Sequence, residues 1–348
     1  MGTSIRYRSG IVLRLFKRKA LKKNIRPMML EDFTGQDNAK TLLKVAINRA
    51  KSRKDVLDHI VIYGPPGLGK TTLAGIIANE MNTKLITSIG TSLQKQSDIV
   101  DLFDDIYRDD ILFIDEIHRI PARLEELLYT AMEDGYIDLG TGRMDIPSFT
   151  LIGATTRLGD LSEPLRDRFG IQLRLELYSQ DELIQIALRT ASVLGTTLTY
   201  DGALVLASRA RGTPRILNSF IRRAMDVAHA SGQSNISETV ALATLEMLEI
   251  DELGLDRMDR KILGIMYNDY SGKPVGLNTL AISVGENAKT LRDVYEPYLI
   301  ANKLILPTPR GRVLTQKAIK HIKEALNDVI QHTTEMQALK RDWKGGMR

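Results

Sequence analysis

The chain has 348 residues, 43% of them apolar, and a formal net charge of +5. At roughly 100–200 residues per domain, this length predicts two or three domains. No uninterrupted apolar run approaches the roughly 20 residues that span a bilayer, so we expect no membrane partner. Cysteine is absent, which excludes disulfides and thiolate metal sites and fits a reducing compartment.

Basic residues are concentrated at the N-terminus. Residues 1–24 hold eight Lys and Arg residues and no acid, so the remainder of the chain is slightly acidic. Such a tail suits nucleic acid or another anionic surface. It also resembles an organellar targeting segment, and a solvated extension would have the same composition. These interpretations remain open, and residues 336–348 are predicted as a second tail.

A phosphate-binding loop is predicted at residues 64–72. The apolar run IVIY leads into GPPGLGKTT, which matches the pattern G-x-x-x-x-G-K-[ST] and precedes a run with helical spacing. Glycines there let backbone N–H groups face phosphate oxygens, and the helix N-terminus adds its dipole. We expect Lys70 to reach the β- and γ-phosphates and Thr71 to bind Mg²⁺. The cofactor-binding residues predicted on the loop are Gly64, Gly67, Gly69, Lys70, Thr71 and Thr72.

A second apolar run, DILFID, ends in Asp115 and is followed by Glu116. A carboxylate at the carboxyl end of a buried parallel strand lies where α/β sheets bind ligands. We expect Asp115 to hold magnesium through its water shell and Glu116 to polarise the attacking water. A structural or coupling role suits His118 better than proton transfer, because Glu116 already fills the position of the base.

Residues 149–157 read FTLIGATTR and predict a third buried strand with polar residues at its end. A hydroxyl at that end can sense the γ-phosphate and help to place the attacking water, and Thr156 is predicted to do so. A helix N-cap role for one of the two threonines is compatible with this assignment.

Two arginines follow in LRDRFG, residues 165–170. Arg166 and Arg168 are predicted as arginine fingers that reach a neighbouring subunit's nucleotide and stabilise transition-state charge. That role requires a homo-oligomer. The alternative is a surface salt bridge to Asp167 or Glu163.

The C-terminal half of the chain shows helical patterns. Residues 181–250 have helical apolar spacing with glycines at the ends of runs, which predicts a small helical bundle, the lid. From residue 255, three helical runs and a strand pair with a Pro-rich tip predict a winged helix. A solvated loop or a winged helix that binds protein is the alternative to DNA binding here. The candidate DNA contacts are Lys289, Arg292, Arg310 and Arg312.

The motifs occur in the order P-loop, DEIH, GATTR and LRDRFG, as in AAA+ ATPases. Longer strings, among them LDHIVIYGPPGLGKTTLA, LFIDEIHR, RARGTPRI and TPRGR, resemble the RuvB family, motors of bacterial Holliday junction branch migration, from about Ile25 to residue 320. The resemblance implies an α/β P-loop AAA+ core (a parallel sheet with flanking helices), an all-α lid and a C-terminal winged helix. The predicted segments are 1–24, 25–180, 181–254, 255–335 and 336–348.

The resemblance also implies ligands, partners and further site residues. ATP and Mg²⁺ would be the cofactors of a hexameric ring on four-way junction or duplex DNA, in the cytoplasm with the nucleoid. Arg215 would be a second sensor that reaches the γ-phosphate from the lid. Basic residues are usual in the family where this chain has Ala288 and Pro307, which predicts weaker DNA affinity. Residues implied beside the nucleotide are Ile25, Arg26, Glu133, Asp134, Gly135 (usually an aromatic in the family) and Tyr178.

The stretch GYIDLGTGRMDIP, residues 135–147, predicts a small β-hairpin whose apolar residues stand away from the body. In the family a hairpin at this place docks onto RuvA, the junction-recognising partner. The insertion here is shorter and ends in Gly-Thr-Gly, which predicts altered coupling to a RuvA-like protein. The alternative is a trimmed connection that binds nothing. Candidate contacts are Tyr136, Ile137, Leu139 and Met144.

Three functions are compatible with these features. The first is an ATP-driven ring motor that moves duplex DNA, and the winged helix, the GTPRI string and the basic tail favour it. The second is a clamp-loader-like switch or a remodeller of a protein partner on DNA, which shares the core motifs. The third, a nucleotide-regulated DNA-binding protein without catalysis, is disfavoured because Asp115, Glu116 and both arginines are kept together.

Overall fold

The computed structural model describes residues 25–140, 142–325 and 327, so the two predicted tails lie outside the described residues. The chain divides into two compact units, Met1–Thr244 and Leu245–Arg348. Among the described residues, no helix is long and apolar enough to cross a membrane. The finer domain boundaries given above remain predictions.

A parallel sheet forms the centre of the first unit. Its strand order is β2-β3-β6-β1-β7, with parallel pairing between all neighbours. Nearly every residue of β1, β3 and β6 is buried, as expected for parallel strands flanked by helices. The strands of the unit are β1 (Ile60–Tyr63), β2 (Leu85–Ile89), β3 (Ile111–Asp115), β4 (Tyr136–Asp138), β5 (Arg143–Asp145), β6 (Thr150–Thr155), β7 (Ile171–Arg174), β8 (Thr197–Leu198) and β9 (Asn235–Ile236).

Helices connect these strands and then form the lid. Parallel neighbours need crossover connections, which is why helices alternate with strands along the core. The core helices are α1 (Asp37–Arg53), α2 (Lys70–Met81), α3 (Gln96–Asp104), α4 (Ala122–Glu133) and α5 (Glu163–Asp167). The lid helices are α6 (Gln180–Leu194), α7 (Tyr200–Ser208), α8 (Pro214–Ala230) and α9 (Glu238–Met247).

Local sequence explains where the lid begins. Ser179 and Glu182 form a capping box at the start of α6, in which the carboxylate of Glu182 accepts the backbone N–H of Ser179 over 2.7 Å. Thr199 caps α7 by accepting the N–H of Gly202. Between the lid helices, β8 and β9 pair as a short parallel ladder. The predicted fold class, an α/β P-loop core followed by a helical lid and a winged helix, is confirmed.

The described part of the second unit contains the three helical segments and the strand pair of a winged helix, followed by a further helical segment. The third of the predicted helical runs is interrupted by a π-helical turn at Leu291–Tyr295. Pro297 has no N–H and its ring conflicts with the carbonyl four residues earlier, so regular α-helical bonding is lost there. The elements are α10 (Arg257–Asn268), α11 (Leu277–Val284), α12 (Ala288–Thr290), α13 (Glu296–Ala301), β10 (Ile305–Thr308) and β11 (Gly311–Leu314), followed by helical residues 316–325.

The hairpin of β4 and β5 forms as predicted, but the expectation that its apolar residues stand away from the body is wrong for Ile137. That side chain is 0% exposed and belongs to the core cluster that contains Leu128 and Phe149. The half-buried Leu139 and Met144 pack against the same cluster. Alternation along a strand points neighbouring residues to opposite faces, so β4 contributes one residue to the core.

Ile137→Ala should therefore destabilise the first unit by about 2–5 kcal/mol, because it leaves a cavity in a packed core. Chemical unfolding followed by circular dichroism measures this loss. Gly142→Ala is the matched control, since a Cβ there has no atom within 4 Å. An Ile137→Ala protein as stable as the control would contradict the core assignment of this hairpin.

Candidate nucleotide-binding and hydrolysis site

A cleft of about 750 Å³ lies where the segment before α1, the P-loop and the lid meet. The cleft gathers most of the residues predicted to touch nucleotide. Those that line it are Ile25, Arg26, Gly67, Gly69, Lys70, Thr71, Thr72, Asp115, Glu116, Tyr178 and Arg215. Predicted residues outside its lining are Gly64, Glu133, Asp134, Gly135, Thr156, Arg166 and Arg168. The individual roles remain predictions.

The P-loop is folded tightly against the lid. Gly67 has φ +81°, and a Cβ on it would lie 2.6 Å from Cγ2 of Thr213, so no larger residue fits. Its carbonyl accepts the backbone N–H of Arg215 over 3.4 Å. The start of α8 therefore contacts the phosphate loop directly.

Lys70 is 7% exposed. Its ammonium donates to the carbonyls of Gly64 over 2.8 Å and Pro65 over 3.0 Å. Burial lowers the pKa of Lys70, an effect that the carboxylates of Glu116 and Asp115 oppose. A buried cation bonded to neutral carbonyls favours an incoming anion, so the loop fits a phosphate group.

Thr71 and Asp115 place two hard oxygen donors side by side. The hydroxyl of Thr71 donates to Oδ2 of Asp115 over 3.3 Å, and Oδ1 accepts the N–H of Glu116 over 3.0 Å. The described part of the chain contains no cluster of three or more His, Cys, Asp or Glu side chains that could cage a metal. Mg²⁺ takes few protein ligands and completes its shell with water and phosphate oxygens, so the residues present fit this ion.

Glu116 has a strained backbone. Its φ of +50° places a residue with a side chain in the left-handed region, which costs on the order of 1–3 kcal/mol and is common at active sites. A Cβ on Gly90 would lie 2.4 Å from the carbonyl oxygen of Glu116. A glycine is therefore required at position 90, after β2, for the backbone of Glu116 to adopt its left-handed conformation.

The lid contacts the core at two further points. The hydroxyl of Tyr178 donates to the carbonyl of Leu68 over 3.1 Å, and burial raises the pKa of this phenol. Arg189 donates from Nη1 to the carbonyl of Ile25 over 3.0 Å. Sequence reasoning missed Arg189 and its cleft neighbours Thr190 and Asn218, because a helical repeat gives no sign of which face meets a ligand.

Arg168 forms an ion pair with Glu133, and not with Asp167 or Glu163, the partners considered from sequence. The pair joins the end of α4 to the end of α5, outside the lining of the cleft. Arg166 is half-buried, and its backbone N–H donates to the carbonyl of Ser162 over 3.0 Å. Neither arginine lines the cleft of its own chain.

The four candidate DNA contacts differ in their surroundings. Lys289 and Arg310 are exposed, and the exposed Arg292 pairs with Asp293 over 3.1 Å. Arg312 pairs with Glu296, whose side chain is 5% exposed. A DNA contact by Arg312 would require this ion pair to open or to be shared.

Gly90→Ala should lower kcat for ATP hydrolysis at least about tenfold, since a misplacement of ~1 Å at a catalytic group can cost about 100-fold. The added Cβ would meet a backbone oxygen, which cannot rotate away as a side chain can. Steady-state ATP turnover checks this, with Gly75→Ala in α2 as control because its Cβ meets open space. Equal turnover by the two variants would contradict the constraint on Glu116.

Arg312→Ala should destabilise the second unit by roughly 3–5 kcal/mol, because it leaves a buried carboxylate unpaired. The exposed Arg310→Ala is the control and should leave the unfolding midpoint unchanged. Replacing Arg312 and Glu296 together by leucine should recover most of the loss. Urea unfolding measures all three, and an Arg312→Ala protein with wild-type stability would show that the ion pair is not structural.

Comparison with known proteins agrees with this geometry. The chain matches the family models described as the Holliday junction DNA helicase RuvB P-loop domain over residues 25–175, the RuvB AAA lid domain over 178–251 and the RuvB C-terminal winged helix domain over 252–323. The Holliday junction branch migration complex subunit RuvB of Lacticaseibacillus casei is 46% identical over 310 residues, which are 87% of this chain and 92% of that protein.

Two further relatives agree. The subunit of the same name from Nitratidesulfovibrio vulgaris is 46% identical over 310 residues, 87% of this chain and 97% of that protein. The solved Thermotoga maritima RuvB Holliday junction branch migration motor is 47% identical, with a TM-score of 0.79 over 86% of this chain and 98% of that chain. The structure thus combines a P-loop cleft, a lid bonded to that cleft and a winged helix. RuvB family models match nearly all of the described residues. The chain therefore belongs to the RuvB family.

Proposed function

We propose that this protein is the ATP-driven motor of Holliday junction branch migration, and that it moves duplex DNA by hydrolysing ATP. One observation carries the proposal. Lys70, Thr71, Asp115 and Glu116 line one cleft together with the lid residue Arg215. A nucleotide bound there would contact both the catalytic core and the element that has to move.

ATP binding begins with an exchange of partners at Lys70. Its ammonium would leave the carbonyls of Gly64 and Pro65 for phosphate oxygens, while the loop N–H groups and the start of α2 face the same charge. Ile25, Arg26 and Tyr178 line the other part of the cleft and would hold the nucleoside. Arg215 would contact phosphate from the lid and so transmit the state of the nucleotide to α8.

Hydrolysis requires a water molecule in line with the γ-phosphate. Glu116 would accept a hydrogen bond from this water and polarise it, and Thr156 at the end of β6 would help to place it. Mg²⁺, when held by Thr71 and Asp115, would neutralise phosphate charge. The side chain of Glu116 is 38% exposed, so it remains accessible to water in the cleft.

A neighbouring subunit would complete the site. The sequence suggests nucleotide contacts for two groups that lie outside the cleft of their own chain. These groups are the two arginines, Arg166 and Arg168, and the backbone of Glu133, Asp134 and Gly135. The ion pair with Glu133 keeps Arg168 beside that backbone. Both groups can therefore face one nucleotide of an adjacent copy, which supports a homo-oligomeric ring, and we propose a hexamer.

Contacts with DNA and with a partner protein would come from other surfaces. Lys289, Arg292 and Arg310 are exposed cations on the winged helix and suit phosphate contacts. The hairpin offers little for docking. Ile137 is buried, and the guanidinium of Arg143 covers the ring of Tyr136 at 3.7 Å from its centroid. We therefore propose that coupling to a RuvA-like protein is weaker than in relatives with a longer arm.

Branch migration of a synthetic four-way junction tests the motor and the shared site together. The wild-type protein should dissociate the junction with ATP, whereas Lys70→Ala and Arg168→Ala proteins should each be inactive. Mixtures of the two variants should regain part of the ATP turnover, because a Lys70→Ala subunit still offers its arginine to a neighbour with an intact P-loop.

Arg49→Ala, an exposed arginine on α1, is the control for loss of positive charge and should behave as the wild type. ATP turnover without junction dissociation, with and without a junction-binding partner, would favour a clamp-loader-like switch or a protein remodeller. Mixtures as inactive as both parents would contradict the assignment of Arg168 to a neighbour's nucleotide.

A further inference from the structure

His118 lies between two polar residues of the hydrolytic site. Its side chain is 4% exposed, and Nδ1 is 3.3 Å from the Oε2 atom of Glu116. The same nitrogen is 2.9 Å from Oγ1 of Thr155. One ring atom is therefore within reach of the catalytic carboxylate and of the last residue of β6.

Thr155 is a fixed partner. It is 0% exposed, and its Oγ1 accepts the backbone N–H of Arg157 over 2.9 Å. The hydroxyl still has one proton to donate and one lone pair to offer. Thr156, the predicted sensor, is the next residue along the chain, so a shift at the end of β6 that moves one threonine also moves the other.

Glu116 is the adjustable partner. Its carboxylate is partly exposed, and its backbone lies in the left-handed region next to Gly90. With a proton on Nδ1, the ring can donate to the Glu116 carboxylate or to Oγ1 of Thr155. Without that proton, Nδ1 accepts a hydrogen bond from the Thr155 hydroxyl and cannot donate one to the Glu116 carboxylate. For the Glu116 carboxylate these possibilities amount to two arrangements, bonded to His118 or released from it.

We propose that His118 is a positioning residue that ties the orientation of the Glu116 carboxylate to the end of β6. The proposal rests on the proposed function, in which Glu116 polarises the attacking water. His118 transfers no proton to substrate. It holds the carboxylate aside in one arrangement and releases it toward the cleft in the other. Displacement of β6 by the γ-phosphate would select between the two, as a two-state element requires.

The surroundings of the ring are consistent with this role. Burial lowers the pKa of His118, while the carboxylates of Glu116 and Asp160 oppose burial and the guanidinium groups of Arg119 and Arg157 add to it. Burial therefore favours the neutral imidazole, which keeps one nitrogen as an acceptor. Both arrangements are available without a net change of charge in the site.

Replacement of His118 tests the proposal. His118→Leu should lower kcat for ATP hydrolysis roughly 10- to 100-fold, the scale of a misplaced catalytic group. The dissociation constant of a fluorescent ADP analogue should change less than about twofold, because no atom of His118 lines the cleft. His118→Asn restores a polar group near the position of Nδ1 and should recover part of kcat.

A double-mutant cycle with Thr155 separates positioning from packing. Thr155→Val removes the hydroxyl at nearly constant volume and should lower kcat, whereas Thr155→Ser should retain it. If the three residues act as one chain, Thr155→Val combined with His118→Leu should be no slower than the slower single variant. Losses that multiply would show that Thr155 and His118 act independently and would overturn the proposal.

His59 provides a matched control. It is half-buried, and its Nδ1 accepts the backbone N–H of Leu151 over 2.9 Å, outside the lining of the cleft. His59→Leu should lower stability while the folded protein keeps its kcat. A His118→Leu protein that behaves in the same way would show a structural role and contradict the inference. If the wild type itself hydrolyses no ATP, the proposed function fails instead.

Discussion

The parallel pairing of three buried strands, β1, β3 and β6, is the constraint on which the site depends. Because the strands run in the same direction, their carboxyl ends lie at one edge of the sheet. The P-loop after β1 and the carboxylates after β3 therefore meet there, and the hydroxyl of Thr71 reaches Asp115 over 3.3 Å. A one-residue shift in the register of β3 would turn Asp115 to the other face of the sheet and separate the pair.

Close backbone approaches then fix the parts that the sheet leaves adjustable. Gly90 lets the backbone turn at Glu116, and Gly67 lets the P-loop lie against the start of α8. The two contacts differ in consequence. The first holds Glu116 in a strained conformation, while the second links the P-loop to the lid. The P-loop and the lid are thus joined through backbone atoms as well as through the side chain of Tyr178.

Several residues that suggest binding when read as sequence have structural partners in the folded chain. Ile137 fills the core under the hairpin, Arg312 neutralises the buried Glu296, and Arg168 pairs with Glu133. A charged or apolar residue in a family motif can serve stability in the free protein and still change partners in a complex. For Arg168, the proposed role as an arginine finger would require such an exchange.

The sequence by itself determined the fold class and the chemistry of the phosphate site. The P-loop and the acidic strand end are contiguous motifs whose spacing encodes the local structure, and helical periodicity defines the lid and the winged helix. Tertiary structure decided which groups share a contact. Three contacts join segments that are far apart in the chain. His118 lies against Thr155, Arg189 bonds to the carbonyl of Ile25, and Ile137 packs into the core. Periodicity reports the face of an element but not what packs against it, so only the folded chain shows these pairs.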